Sequence, residues 1–109
     1  MKSVAENKLV VVFRSRLRPD ADLAALEAAG ARMYELASAM PGFISYKDFA
    51  AGDGECLSIV EFSDMESLLA WRNQPEHVAM QQRGRDEFFA NYEIQVCEPL
   101  RAYSFAGKS

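Results

Sequence analysis

The chain has one histidine and one tryptophan, and the two lie close together in the sequence. His77 follows Trp71 by six residues and comes directly after Pro75-Glu76. An imidazole with a pKa near ~6.5 suits a general base at neutral pH, and an indole offers a flat apolar ring with one N–H donor. His77 is therefore a candidate catalytic residue, and Trp71 a candidate wall of a ligand cavity. The alternatives are a capping or surface role for His77 and a core-filling role for Trp71.

A second group of candidates follows His77. Arg83 and Arg85 flank Gly84, and the aromatic residues Phe89 and Tyr92 come next. A guanidinium in this group could pair with a negative charge on a ligand, or the arginines could simply form a solvated helix face. Tyr46, Tyr92 and Tyr103 are either amphipathic fillers or residues that reach a cavity.

Cysteine and metal-binding patterns are sparse. Cys56 and Cys97 fall inside strand-like segments, and we interpret them as free thiols that pack as small apolar residues. A single histidine without a CxxC or HExxH motif argues against a structural metal site within one chain. The sequence contains no phosphate-binding loop and no nucleophile elbow, so we expect no cofactor held by such motifs.

The segments that must position these residues alternate between strand and helix. Runs of β-branched and aromatic residues predict strands, and apolar residues at helical spacing predict helices. Pro75 interrupts the second helical region and favours a new start there. The predicted elements are strand Leu9–Leu17, helix Asp20–Met40 capped by Asp20 or Asp22, strands Phe43–Ala50 and Glu55–Phe62, helical segments from Met65 to Phe89 capped by Ser63 or Asp64, and strand Tyr92–Phe105.

This order is β-α-β-β-α-β, which predicts a ferredoxin-like α+β subunit with a four-stranded antiparallel sheet and both helical regions on one face. The buried stripe of the first helix is predicted to contain Leu23, Leu26, Met33, Leu36, Ala37 and Met40. With the usual 4-1-3-2 strand order, another strand separates Cys56 from Cys97. The two thiols are then at least ~10 Å apart and cannot form a disulfide within the subunit.

Both faces of the predicted sheet are apolar. Leu9, Val11 and Phe13 point to one side of the first strand, while Val10 and Val12 point to the other. The helices can cover only one face, so we expect a homodimer in which a second copy covers the other. The alternatives are a monomer with a partly apolar surface and a complex with a different protein.

Length and charge limit the remaining possibilities. We expect one domain from 109 residues, spanning 1–109, with a loose segment at 1–7. A net charge of −4 with scattered basic residues argues against nucleic acid as a partner. The sequence has neither a long apolar run nor a signal-peptide pattern, so we expect no membrane association and a cytoplasmic location.

The stretch from Ser67 to Phe105 is the most distinctive part of the chain. Its features are Trp71, Pro75-Glu76-His77, Gln81, Gly84-Arg85, Phe89 with Tyr92, and a closing strand with Arg101 and Tyr103. Together with the opening strand VVVFRSRL and Met40-Pro41-Gly42-Phe43, this stretch resembles the antibiotic biosynthesis monooxygenase family. The resemblance covers nearly the whole chain, but it indicates a family rather than a substrate, because this fold hosts several chemistries.

The resemblance implies a dimeric α+β barrel with a small-molecule cavity between helices and sheet. Family members include cofactor-independent oxygenases of polycyclic phenols, quinol oxygenases and haem-degrading enzymes, and some have no settled activity. By analogy, His77 would remove a phenol proton so that the anion passes an electron to oxygen, without a cofactor. Trp71, Arg85, Phe89 and Tyr92 would bind a small aromatic substrate.

Two other functions remain open. The chain could be a small-molecule-binding or stress-associated dimer without catalysis, since both functions need the same apolar cavity. It could also resemble the haem-degrading relatives, because Ala5-Glu6-Asn7-Lys8-Leu9 and Trp71 match two of their motifs. Those relatives place an iron-ligating histidine ten residues after the tryptophan, where this chain has Gln81. The resemblance therefore ranks haem degradation below cofactor-free oxygenation.

Overall fold

The computed structural model describes residues 8–107 and has the predicted ferredoxin-like α+β architecture. The N-terminal residues 1–7, which we expected to be loose, lie outside the described residues. Within 8–107, no helix is both long and apolar enough to cross a membrane. The elements are β1 (Leu9–Leu17), α1 (Leu23–Ser38), β2 (Phe43–Ala50), β3 (Cys56–Phe62), α2 (Met65–Arg72), α3 (Pro75–Arg83), a π-helical turn (Gly84–Phe88) and β4 (Phe89–Cys97).

The four strands form one antiparallel sheet in the order β2-β3-β1-β4. This is the order predicted from the sequence, and it makes β4 an edge strand. Cys56 on β3 and Cys97 on β4 lie on opposite sides of β1, and both are free thiols.

Short polar side chains decide where the first two helices begin. The carboxylate of Asp22 accepts a hydrogen bond from the backbone N–H of Ala25 at 3.1 Å and caps α1. Asp64 accepts in the same way from Ser67 at 2.7 Å and caps α2. Of the two caps proposed for each helix, the structure therefore selects Asp22 and Asp64.

The two faces of the sheet have different surroundings. On the helical face, Leu9, Val11, Val60 and Phe62 are buried in the core with Ala37, Leu68 and Trp71. On the opposite side, which we call the open face, Val10, Val12, Leu57 and Ile59 are only half-buried. Within the described residues, the helices therefore cover one face and leave apolar side chains on the other, as expected from the first strand.

Several predicted boundaries were wrong. The closing strand begins at Phe89 and ends at Cys97, whereas Tyr92–Phe105 was expected. Within the described residues, β4 pairs with β1 and with no other strand. Cys97 pairs with Val10, the second residue of β1, so β1 has almost no residues left to pair with a longer β4. Pro99 also lacks the N–H that a ladder needs.

Three other boundary predictions need correction. The first helix is Leu23–Ser38, shorter than Asp20–Met40. Leu23 at its start is 65% exposed rather than part of the buried stripe, because the buried residues of α1 begin only at Ala29. The third strand begins at Cys56 instead of Glu55. Phe88 ends the π-helical turn and Phe89 starts β4, so neither residue belongs to a regular α-helix.

Candidate functional site

Trp71 and His77 stack against each other under the helical layer. Their ring centroids are 4.1 Å apart with an interplanar angle of 26°, and each residue is only 8% exposed. Trp71 comes from the last turn of α2 and His77 from the first turn of α3. The ring of Phe62 on β3 also packs against Trp71, with ring centroids 5.4 Å apart. The structure thus brings the two candidates together as an indole–imidazole pair, and His77 is not a surface residue.

The break between α2 and α3 orients His77. Gln74 accepts a hydrogen bond from the backbone N–H of His77 at 2.8 Å, and Pro75 occupies the first position of α3. The Nδ1 atom of His77 lies 3.5 Å from the carbonyl oxygen of Arg72. A carbonyl can only accept, so this contact favours the neutral tautomer with its proton on Nδ1 and a lone pair on Nε2.

The electrostatic environment keeps this imidazole neutral. Burial lowers the pKa of His77 below its ordinary value, while the backbone carbonyls of Arg72 and Trp71 oppose that shift. His77 can therefore accept a proton at neutral pH, as a general base must.

The indole nitrogen of Trp71 is a buried hydrogen-bond donor that finds no acceptor among the described residues. Within residues 8–107, no acceptor forms a hydrogen bond with its Nε1 atom. An unsatisfied buried donor costs about 1–3 kcal/mol. An oxygen atom of a bound ligand next to this nitrogen would remove that cost.

A second group of candidates gathers at the other end of the helical face. The rings of Phe13, Phe89 and Tyr92 form an aromatic cluster with centroid separations of 5.3, 5.4 and 5.9 Å. Arg85 donates to the hydroxyl oxygen of Tyr92 at 2.8 Å and to the side-chain oxygen of Gln82 at 2.7 Å. Three of the predicted binding residues, Arg85, Phe89 and Tyr92, are therefore adjacent.

Gly84 makes the approach of Phe89 possible. It is buried at the start of the π-helical turn, and a Cβ atom there would come within 2.7 Å of the Phe89 ring. The backbone N–H of Arg18 donates to the carbonyl of Phe88 at 2.8 Å and ties the end of this turn to the chain just after β1. Short π-helical turns often occur at functional sites, because they re-aim side chains within a helical path.

The two arginines around Gly84 have different partners. Arg83 is paired with Glu87 at 3.1 Å and lies over the ring of Phe88. Among the residues that the structure describes, no carboxylate lies within 4.0 Å of the guanidinium of Arg85. Of the two, Arg85 is the one whose charge is available to an anionic group.

The candidate residues thus form two groups rather than one. Phe62, which contacts Trp71, pairs with Leu9, and Phe13 lies four residues further along β1. At the rise of a β-strand, this spacing is about 13 Å. Between them on the same face lie Val11 and, on the edge strand, the side chains of Ile94 and Val96, which are 45% and 50% exposed. An apolar strip therefore connects the two groups.

A groove of about 530 Å³ lies on the open face of the sheet. None of the predicted site residues lines it. Its lining residues are Val12, Arg14, Phe49, Ala50, Ala51, Glu55, Leu57, Ile59 and Gln95.

The other predicted tyrosine and arginine positions are not in either group. Burial and the nearby Asp48 raise the pKa of Tyr46 to about 12, and Tyr46 packs against the core as a filler. Arg101 and the 85%-exposed Tyr103 lie beyond the end of β4. Within residues 8–107, no three His, Cys, Asp or Glu side chains are grouped so that they could hold a metal ion.

Sequence reasoning missed three residues of the site. Phe13 was assigned to the same face of the first strand as Leu9 and Val11 but not to an aromatic cluster, since its neighbours come from a distant strand. Gln82 lies three residues before Arg85, a spacing that brings helical side chains together and could have suggested the contact. Gln74 directly precedes Pro75, which is the position of a helix cap.

Comparison with known proteins identifies similar sequences and structures. A family model described as "Antibiotic biosynthesis monooxygenase" matches residues 8–83. The uncharacterized protein YqjZ of Bacillus subtilis is 28% identical over 74 residues, which are 68% of this chain and 65% of YqjZ. The match therefore spans slightly less than two thirds of that curated relative.

Solved structures share the fold at low sequence identity. Rv0793 from Mycobacterium tuberculosis has a TM-score of 0.77 at 24% identity, covering 89% of this chain and 99% of Rv0793. SnoaB, a cofactor-independent oxygenase from Streptomyces nogalater, was solved as a variant with a TM-score of 0.76 at 16% identity, covering 88% of this chain and 96% of that one. These likenesses establish the fold.

Proposed function

The chain belongs to the antibiotic biosynthesis monooxygenase family, and we propose that it is a cofactor-independent monooxygenase acting on a phenolic or quinol-like small molecule. The observation that carries this proposal is the indole–imidazole pair. It combines a buried, neutral imidazole with an indole N–H that lacks an acceptor in the described chain. Such a pair can take a proton from a phenol and donate a hydrogen bond to an oxygen of the same ligand.

The proposed reaction needs only the substrate, oxygen and the base. The substrate is a phenol whose keto tautomer holds a ring CH₂, and Nε2 of His77 takes a proton from it. The anion transfers one electron to O₂, and the resulting radical and superoxide combine to a peroxide on the ring carbon. As the O–O bond breaks, the remaining proton on the ring carbon passes to the departing oxygen, which leaves a carbonyl and hydroxide, and the hydroxide takes the proton from His77. The balance is CH₂ + O₂ → C=O + H₂O.

Arg85 and Tyr92 would bind the far end of the substrate. Arg85 belongs to the group that lies about 13 Å along the sheet from the indole–imidazole pair, and its positive charge faces a neutral hydroxyl rather than a carboxylate. A phenolate or carbonyl oxygen would replace or share this contact. The aromatic rings of Phe89 and Tyr92 suit a flat ligand that extends along the apolar strip.

Oxygen uptake with a panel of quinols and polyphenols tests the proposal. His77→Gln removes the base but keeps a polar side chain, and we expect turnover to fall about 10²- to 10⁴-fold. Val78→Ala, on the exposed side of the same helix, is the matched control and should keep full turnover. Circular dichroism and melting curves verify that both variants fold. Equal turnover in His77→Gln and the parent protein would refute the role of His77 as base.

A binding protein without catalysis is the second candidate, since both functions need the same apolar binding site. Ligand titration followed by tryptophan fluorescence, without oxygen uptake for any substrate of the panel, would favour it. Haem degradation ranks lower, because Gln81 occupies the position of the expected iron ligand and His77 lies one helical turn earlier. The Asn7 motif of that alternative is outside the described residues. A Soret band that appears on haem titration and disappears in His77→Gln would overturn this order.

We also propose that the active form is a homodimer joined through the open face, with residues 1–109 as a single cytoplasmic domain. Half-buried Val10, Val12, Leu57 and Ile59 support the interface, because such side chains gain about 25 cal/mol per Å² when a second copy covers them. The self-complementary use of one face is the usual geometry of a two-fold dimer.

A further inference from the structure

A row of aromatic rings leads from Trp71 to the surface of α1. The ring of Trp71 contacts Phe62 with centroids 5.4 Å apart, and Phe62 contacts Phe43 at 6.1 Å. Phe43, the first residue of β2, contacts Tyr34 of α1 at 6.3 Å. All three separations lie in the range of directly packed aromatic rings. We call these four residues the aromatic row.

The two ends of the aromatic row have different surroundings. Trp71 is 8% exposed and stacks on His77 in the proposed site, whereas Tyr34 is 49% exposed. Tyr46 of β2 lies beside Tyr34, with ring centroids 5.8 Å apart, and is half-buried. The row therefore joins a buried indole to a phenol that faces solvent, and a second phenol lies next to the first.

The ring types in the row suit the transfer of single electrons. Indoles and phenols can each be oxidised by one electron, while a phenyl ring in contact with both only bridges them. The N–H of Trp71 finds no acceptor among the described residues, so the oxidised indole keeps its proton and its positive charge. Such a radical cation readily withdraws an electron from a phenol whose proton can leave to water, as the exposure of Tyr34 allows.

From this geometry we infer that the aromatic row carries an electron from Tyr34 to Trp71 whenever the indole has been oxidised. The row is then a repair path that protects the proposed site against one-electron oxidants. The inference goes beyond the proposed oxygenase reaction, because the same path serves any such oxidant that reaches the indole.

An organic peroxyl radical, ROO•, is the class of oxidant that an oxygenase reaction can release beside the indole. It takes one electron from Trp71 and a proton from water and becomes ROOH. Tyr34 gives one electron to the indole radical cation and its phenolic proton to water, which leaves a neutral phenoxyl radical. A thiol in solution, RSH, restores the phenol by giving up a hydrogen atom. The balance is ROO• + RSH → ROOH + RS•.

Laser flash photolysis of the full-length protein tests the transfer without any substrate. Excitation at the long-wavelength edge of the indole absorption ejects an electron from Trp71, the one tryptophan of the chain. Dissolved hexaamminecobalt(III) takes up the ejected electron and leaves the indole radical behind. In the parent protein we expect the absorption of the indole radical to decay as the absorption of a tyrosine phenoxyl radical appears.

Two kinds of variant interrupt the path. Tyr34→Phe combined with Tyr46→Phe removes both electron donors but keeps their rings, and Phe43→Leu removes the bridging ring but keeps both phenols. We expect each to slow the decay of the indole radical at least ~10-fold, a difference of about 1.4 kcal/mol in barrier height. Tyr34→Phe alone should slow it less, because Tyr46 lies beside this position and can donate instead.

Matched controls separate electron transfer from packing. Tyr103→Phe and Phe105→Leu make the same chemical changes at residues that are 85% and 93% exposed beyond β4, and both should leave the radical decay unchanged. Circular dichroism and melting curves verify that every variant folds. If the rings only pack, the loss of two hydroxyl groups leaves the indole radical as short-lived as in the parent protein, and the inference is wrong. An unchanged phenoxyl signal in Phe43→Leu would also overturn it, because the electron would then bypass the row.

A peroxyl-radical challenge checks the protective role. A water-soluble azo initiator generates the radicals, and mass spectrometry of peptides measures oxidation products at Trp71. The variant without Tyr34 and Tyr46 should accumulate more oxidised Trp71 than the parent protein, and equal amounts would refute protection. Neither measurement depends on oxygen uptake, so a protein without oxygenase activity could still confirm the path.

Discussion

At the scale of single residues, the burial of His77 has two consequences. It keeps the imidazole neutral, which suits a base, and it makes the side chain part of the packing beneath α2 and α3. Replacing His77 by alanine would therefore remove both a base and a stacked ring. Glutamine keeps more of the volume and hydrogen-bonding capacity, so it separates chemistry from stability better than alanine.

His77 should make the stability of the protein depend on pH. Its pKa is lowered in the folded state, so the unfolded chain binds the proton more readily. The free energy of unfolding should then be unaffected above about pH 6.5 and decrease as the pH falls from the unfolded pKa toward the folded pKa. Urea denaturation between pH 5 and 8 measures this decrease. If His77→Gln shows the same pH dependence as the parent protein between pH 6.5 and 5, another group is responsible.

Trp71 should be important for both stability and ligand binding. Trp71→Ala leaves a cavity next to Phe62 and should lower the free energy of unfolding by about 3–5 kcal/mol. Trp71→Phe keeps most of the ring volume and removes the unsatisfied N–H, so it should destabilise much less. The phenylalanine variant should bind the ligand about 3- to 10-fold more weakly, because one hydrogen bond contributes about 0.5–1.5 kcal/mol. Unchanged affinity would show that Nε1 does not contact the ligand.

At the scale of elements, two glycines in helical segments should respond in opposite ways to alanine. Gly84→Ala places a Cβ within 2.7 Å of the Phe89 ring and should cost about 1–3 kcal/mol of stability. Gly30→Ala within α1 meets no atom within 4 Å and should stabilise the protein by about 0.5–1 kcal/mol. Thermal and urea unfolding of both variants measure the difference. A neutral Gly84→Ala would mean that the Phe89 ring moves aside at little cost.

The break between α2 and α3 is the element that assembles the proposed catalytic pair. A continuous helix would place residues six positions apart on different faces, because each residue turns the helix by about 100°. The turn at Asn73-Gln74-Pro75 instead redirects the chain, so that the ring of His77 folds back over Trp71. The π-helical turn has a corresponding role for Phe89, which it delivers to the aromatic cluster at the start of β4.

At the scale of the whole molecule, a charge on the open face should separate the proposed dimer. Ile59 lines the groove on that face, so Ile59→Glu would bury an unpaired carboxylate in the interface. We expect the dimer Kd to rise at least about 100-fold, because removing a charge from water costs several kcal/mol. Leu23→Glu, at a position that is 65% exposed on α1, should leave the dimer intact. Light scattering that shows a dimer for both variants would exclude the open face as the interface.

Much of the fold was predictable from local patterns. The bounds of β1 and β2 were correct, because β-branched and aromatic runs there end at turn or breaker residues. The end of β4 was not predictable, since it depends on how many residues at the start of β1 are available to pair with β4. The apolar residues Tyr103 and Phe105 looked like strand residues, but a strand needs a neighbouring ladder as well as a suitable composition.

The sequence by itself determined the element order, the strand order, the apolar character of both sheet faces and the family, because these follow from periodicity, turn residues and motifs along one chain. It also pointed to Trp71, His77, Arg85, Phe89 and Tyr92 as candidate site residues. Only the tertiary structure decided that these residues form two groups about 13 Å apart along the sheet. The physical reason is that such contacts depend on the register between distant strands and on the path of the chain at the α2–α3 break.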